Sequence, residues 1–110
     1  KDGEMHGEYV NWYSNGNKRC EHNYQDGKPH GVCITWHENG QKETHSNYQY
    51  GRREGKTMGW YENGQIQYED NYEDGLLDGY SVSFRENGSK RKEENYKHGF
   101  CWNRTNHVEG

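Results

Sequence analysis

The sequence predicts an all-β protein, an elongated single-layer antiparallel β-meander built from tandem 24-residue hairpins. Three observations carry this. Glycines recur without insertion in three columns: Gly3, Gly27, Gly51, Gly75 and Gly99; Gly7, Gly31, Gly55 and Gly79; Gly16, Gly40, Gly64 and Gly88. An Asn precedes each glycine of the third column (Asn15, Asn39, Asn63, Asn87), and Asn-Gly between strand-like residues is the strongest short hairpin signal. Aromatic positions keep the same period, in Trp12, Trp36, Trp60 and Phe84 and again in Tyr24, Tyr48, Tyr72 and Tyr96. Self-similarity at a fixed period of this length signals a repeat architecture.

Composition agrees with an open sheet and disagrees with a two-layer core. Leu, Ile, Val and Phe together number only ten of 110 residues, too few to fill the space between two layers. Aromatics make up 15% of the chain, and the net charge of −4 is small beside 29% charged residues. A disordered chain has the reverse profile. Trp and Tyr therefore supply the packing that aliphatics do not, and neighbouring copies stabilise one another in a quasi-one-dimensional array.

The copies run 3–26, 27–50, 51–74 and 75–98, within one domain spanning 1–110. In the second copy, Gly31–Tyr48 reads as a hairpin folded at Glu38-Asn39-Gly40. A three-residue loop with Gly40 in the left-handed position places Trp36 opposite Lys42. It predicts one face carrying Ile34, Trp36, Thr44 and Tyr48, repeated as Val10, Trp12, Cys20 and Tyr24 and as Met58, Trp60, Tyr68 and Tyr72. In this reading Gly accepts the positive φ of the turn, and Asn tolerates it better than most residues. The joints are segments of Tyr-x-Asp-Gly type, such as Tyr24–Gly31, where turn chemistry recurs and Pro29 costs no ladder bond. About eight strands follow. The tail opens a fifth copy at Gly99-Phe100-Cys101-Trp102, but Asn103 replaces the expected glycine, so 99–110 reads as a partial copy or a cap. A chain that starts at Lys1 and stops inside the pattern reads as a piece of a longer array or a processed chain.

The repeat resembles the MORN repeat, most closely the variant with Trp-Tyr-x-Asn-Gly and Asn-Tyr-x-Asp-Gly. Trp12-Tyr13-Ser14-Asn15-Gly16, Trp60-Tyr61-Glu62-Asn63-Gly64 and Asn71-Tyr72-Glu73-Asp74-Gly75 carry the likeness, which covers residues 2 to 99. The chain departs from the commoner MORN pattern at Cys33, where a glycine is usual, and at Arg85, where other copies of the variant place an aromatic. The resemblance implies an elongated sheet used for protein contacts, sometimes proposed for phospholipid contact, and no catalysis. The variant occurs in bacterial proteins classed as antitoxins and in arrays encoded by large DNA viruses.

Few residues offer chemistry. Cys20, Cys33 and Cys101 match no zinc spacing and point to a reducing, intracellular setting. His22 and His30 lie near Cys20 and Cys33, but other copies carry Ser46, Asp70 and Glu94 for His22, and Glu54 and Asp78 for His30. These columns read as solvated polar positions, with no metal and no cofactor. Glu38, Glu62 and Glu86 sit at turns with no cleft to host acid–base work. The basic runs Arg52-Arg53 and Lys90-Arg91-Lys92 are interleaved with Glu, which argues against nucleic acid and anionic lipid. The acceptor pattern at Asn87-Gly88-Ser89 is generated by the turn, and the second one lies at Asn103. No apolar run reaches the length of a membrane span.

The expected function is a non-enzymatic interaction scaffold, in the cytoplasm or in a viral particle, including a structural part of a large assembly such as a virion. An antitoxin that masks a toxin and an ancillary domain of a larger enzyme are the alternatives. The partner is expected to be a protein, with self-association compatible. The candidate contact residues are Trp12, Trp36, Trp60, Phe84, Tyr24, Tyr48, Tyr72 and Tyr96.

Overall fold

A computed structural model describes residues 7–108. Gly3, the first member of the joint column, lies outside them, as do Glu109 and Gly110. The strands are β1 (Gly7–Trp12), β2 (Lys18–Gln25), β3 (Lys28–Pro29), β4 (Gly31–Trp36), β5 (Lys42–Gln49), β6 (Arg52–Arg53), β7 (Gly55–Trp60), β8 (Ile66–Glu73), β9 (Leu76–Leu77), β10 (Gly79–Phe84), β11 (Lys90–Lys97) and β12 (Phe100–Asn106). All belong to one antiparallel sheet, along which β1-β2-β4-β5-β7-β8-β10-β11-β12 follow in order. The two-residue strands β3, β6 and β9 pair with β2, β5 and β8 at the joints, and β12 in the partial fifth copy adds one more, which takes the count among the described residues to twelve from the eight that the repeat suggests. The molecule measures 54 × 37 × 14 Å, one sheet thick. Val82 is the one buried hydrophobic residue among those described.

Each hairpin turns as the Asn-Gly signal requires. The Gly40 amide donates to His37 O at 3.0 Å, and the His37 amide to Gln41 O at 2.8 Å. Gly40 has φ +92°, and Trp36 pairs with Lys42. Gly40→Val is therefore expected to destabilise the protein by about 1–2 kcal/mol, because a β-branched residue resists this conformation. Thermal unfolding checks it, and an unchanged midpoint contradicts it. The asparagines, however, are absent from the non-glycine residues at positive φ, so tolerance of that conformation is not why they recur. The joints turn at Asp26, Tyr50, Asp74 and His98, with φ from 49 to 53°, each followed by a positive-φ glycine. That is the mirror-image two-residue turn whose twist suits a hairpin.

One expectation fails one residue beyond the turn. Trp36 pairs with Lys42, but Thr35 pairs with Thr44, so Glu43 is an extra residue in β5. The same bulge falls on Arg19, Gln67 and Arg91. An inserted residue shifts the register by one and exchanges the faces of everything beyond it. Ile34 and Trp36 consequently share a face with Lys42, His45 and Asn47. Thr44, Ser46 and Tyr48 lie on the other, with Cys33 and Thr35. The Trp and Tyr columns thus stand on opposite faces, where the sequence reading placed them together. Lys18 and Glu21 show the shift directly. Three apart, they would point oppositely in a regular strand, yet they form an ion pair at 2.7 Å.

Candidate functional site

Two different surfaces result. On the first, small and polar side chains follow one another across the sheet in a single row: Tyr9, His22, Cys33, Ser46, Thr57, Asp70, Ser81, Glu94 and Arg104. Ser46, Thr57, Ser81 and Glu94 are 3–9% exposed. The His22 column, read as solvated, therefore lies in a buried seam, whereas His30, Glu54 and Asp78 are half-buried at the joints. The seam is buried because the Tyr24, Tyr48, Tyr72 and Tyr96 row runs alongside it, one pair further toward the joints. Arg53 bridges that row, donating to the hydroxyls of Tyr48 at 3.2 Å and Tyr72 at 3.3 Å while lying over both rings.

A buried polar group needs a partner, and the seam supplies them between copies. Tyr9 stacks on His22 with ring centres 5.4 Å apart. His22 Nδ1 meets Cys33 Sγ at 3.2 Å, so the structure joins His22 to Cys33 and not to its sequence neighbour Cys20. Ser81 Oγ donates to Asp70 Oδ1 at 2.5 Å. Arg104 Nε donates to Glu94 Oε2 at 2.6 Å, and Lys92 lies 3.7 Å from the same carboxylate. Burial pushes the Cys33 thiol up, only partly offset by Ser46, which leaves it a poor nucleophile.

Asp70 has its carboxyl raised, by burial above all, with the Ser81 hydroxyl opposing and Glu94 adding to the rise. A carboxyl raised in the folded state favours folding below its ordinary range and loses that contribution as pH climbs through the folded value. Asp70→Asn keeps an acceptor for Ser81 and removes the charge. It is expected to raise the melting temperature at pH 7, with the advantage gone by about pH 3.5. Melting curves across that range check it, and a lower midpoint at pH 7 contradicts it.

The second surface carries a stripe. Trp12, Trp36, Trp60 and Phe84 pair with Lys18, Lys42, Ile66 and Lys90. Lys18 Nζ lies 5.6 Å from the Trp36 ring centre, and Lys42 Nζ 6.0 Å from that of Trp60, each reaching into the next copy. Beside this row run Val10, Ile34, Met58 and Val82, paired with Glu21, His45, Glu69 and Glu93. Ion pairs tie lysine to glutamate at 2.7 Å (Lys18–Glu21), 3.1 Å (Lys56–Glu69) and 2.5 Å (Lys90–Glu93). Glu93 is held down to about 2 by Lys90, Tyr80 and His107. Trp12 is 56% exposed, and Trp36, Trp60 and Phe84 are half-buried.

The residues that hold copies together sit at the turns, and their roles were not read from the sequence. Asn15, Asn39 and Asn63 donate Nδ2 to the carbonyls of Glu38, Glu62 and Glu86 in the following copy, at 2.8–3.0 Å. Their Oδ1 atoms accept the amide two residues on. The Tyr13 and Tyr61 hydroxyls and His37 Nε2 each reach the carbonyl of the next copy's aromatic, Trp36, Phe84 and Trp60 respectively. Arg85, the departure from the pattern, does this work at the end of the array by donating to His107 O. The only available signal was that Asn occupies its column in every copy although φ does not demand it.

Pockets and metal ligands give little. The depressions are shallow and open, about 190 Å³ beside Asp70 and Glu94 and about 320 Å³ beside Trp60. Donor atoms of Glu73, Asp78 and His98 lie within 4.8 Å of one another at an exposed joint. Asp78 Oδ2 accepts the His98 amide there, as Glu54 Oε1 accepts the Asp74 amide one copy earlier without any imidazole, so the contact is a clasp of the joint. Among the described residues no helix is long and apolar enough to cross a membrane.

Comparison with known proteins bears on this geometry. A family model described as the MORN repeat variant matches the chain four times, over residues 5–26, 29–50, 53–74 and 77–98. No curated protein matches the chain.

Proposed function

The chain belongs to the MORN repeat variant family, whose repeats are generally non-catalytic modules, and from that premise we propose a non-enzymatic scaffold that binds protein through its Trp–Lys stripe. The observation that carries this is the division of the two faces. The seam face satisfies its own polar groups and roofs them with tyrosines. The stripe face leaves Trp12 mostly exposed and Trp36 and Trp60 half-exposed in a straight row. Accessible aromatic side chains, tryptophan above all, are what protein interfaces prefer. The contact residues are thus Trp12, Trp36, Trp60 and Phe84, while Tyr24, Tyr48, Tyr72 and Tyr96 serve the seam. The mixed signs of Lys18, Lys42, Lys90 and the neighbouring glutamates do not favour a polyanion or an anionic lipid surface. Masking a toxin, acting within a virion and serving a fused enzyme are particular uses of the same face.

The test is a pull-down with the immobilised chain, comparing Trp12→Ala, chosen because its exposure spares the fold, with Tyr24→Ala on the opposite face. Loss of captured protein with Trp12→Ala alone is the expected result. Loss with Tyr24→Ala alone would assign binding to the seam face and overturn the reading.

A further inference from the structure

We propose that the stripe face is closed by a second copy of the same chain, packed face to face about a two-fold axis that runs along the array. This rests on the stripe being a contact surface, and it names the occupant. The argument is that two adjacent rows on this face complement each other. Nearest the turns run Trp12, Trp36, Trp60 and Phe84 with Lys18, Lys42, Ile66 and Lys90. Next to it run Val10, Ile34, Met58 and Val82 with Glu21, His45, Glu69 and Glu93. An axis between these rows lays the first row of one copy over the second row of the other. Trp36 then faces the second copy's Ile34, and Trp60 its Met58. Lys18 faces the second copy's Glu21, and Lys90 its Glu93. The Trp column meets the Val10, Ile34, Met58 and Val82 column, and two of the three lysines meet carboxylates, twice over by symmetry, while Lys42 faces His45 and Ile66 faces Glu69.

The dimensions suffice. The axis lies toward the turn side, so about half of a 54 × 37 Å face is covered. That is about 1,000 Å² per copy, against about 800 Å² per partner in a standard stable interface. Sheets stacked about 10 Å apart bury such rows between them. The dimer also supplies what the single layer lacks, a hydrophobic interior, since Val82 is the one buried hydrophobic residue described in the monomer. The seam face offers no equivalent, because Ser46, Thr57, Ser81 and Glu94 are buried within one copy, whereas the lysines of the Lys18–Glu21 and Lys90–Glu93 pairs are half-exposed, so each pair can be shared with a second copy.

The experiment is sedimentation equilibrium of the full chain up to about 100 µM, the range in which a modest dimer is visible. The wild type is expected to dimerise. Lys18→Glu sets like charges against each other at two symmetric contacts and is expected to weaken dimerisation by at least about tenfold. Adding Glu21→Lys swaps the pair, restores attraction both within and between copies, and is expected to recover the wild-type constant to within about threefold. Circular dichroism on each variant shows that the sheet persists. A wild type that stays monomeric, a dimer indifferent to Lys18→Glu, or a swapped variant that stays dissociated would each overturn the dimer. A monomer whose Trp12 still captures another protein would leave the scaffold reading intact, so the two proposals fail separately.

Discussion

Arg104→Ala is expected to lower unfolding free energy at pH 7 and to weaken part of the protein's acid response. Glu94 is 5% exposed, and its carboxylate is held by Arg104 at 2.6 Å and by Lys92 at 3.7 Å. Breaking a buried pair from one side leaves a buried charge, which costs about 3–5 kcal/mol in a deep interior. Arg104 is half-exposed and Lys92 remains, so the cost falls below that range. Burial pushes the Glu94 carboxyl up, but Arg104, Tyr96 and Lys92 together outweigh it and leave it below the ordinary carboxylate range. The wild type therefore draws stability from this group above about pH 4.5 and loses it as pH falls through the folded value. Without Arg104 its hydrogen bond and charge no longer oppose burial, and the carboxyl rises from its depressed value. The variant therefore draws less stability from this group than the wild type does above that range. Denaturant titrations at pH 7 and pH 4 should show a gap that is large at pH 7 and small at pH 4. An equal gap at both would mean that Arg104 acts by packing and not through the Glu94 charge.

Trp36→Ala and Trp60→Ala are each expected to cost about 2 kcal/mol. A packed tryptophan cut to alanine costs about 3–5 kcal/mol, and less where half of it faces solvent. Both are flanked by copies on either side, and each lies beneath the lysine of the copy before it. Trp12, 56% exposed, should lose about 1 kcal/mol. Glu38→Ala should change stability by less than about 0.5 kcal/mol, because Asn15 of the preceding copy donates to its carbonyl and not to its side chain. Chemical denaturation of the four variants orders them. Equal effects at Trp36 and Glu38 would show that the aromatic column does not hold the sheet.

The repeat, the strand order and the turns were legible in the sequence because each depends on local chemistry recurring at a fixed interval. Gly40 and its column mark a φ that other residues resist, and the Asp26-Gly27 joint marks a mirror-image turn. Which residues share a face was not legible. It depends on one inserted residue per copy, at Arg19, Glu43, Gln67 and Arg91. These side chains are all long, polar and exposed, which is equally what a regular solvent-facing strand position carries, so the column gives no specific sign of a bulge. The buried seam was misread for a related reason. His22, Ser46, Asp70 and Glu94 look like solvent positions one by one, and only the Tyr row beside them and the partners across the copy boundary make them interior. The end of the array shows how a single exception acts. At the earlier joints Gly31, Gly55 and Gly79 take positive φ, whereas Asn103 does not appear among the positive-φ residues. The register of β12 steps between Asn95 and Tyr96, with Asn103 opposite Asn95 and Arg104 opposite Glu94. The missing glycine noted in the sequence is thus what brings Arg104 to the carboxylate that needs it.

The central claim is that the bulge separates the Trp stripe from the Tyr row, giving one face for partners and one for internal cohesion. Nuclear Overhauser contacts from the Trp36 indole in the isolated chain test it most directly. The structure predicts contacts to the Lys18 and Lys42 methylenes and to Ile34, with none to Thr44 or Tyr48. Contacts from Trp36 to the Thr44 methyl or the Tyr48 ring would place both aromatics on one face and contradict the account.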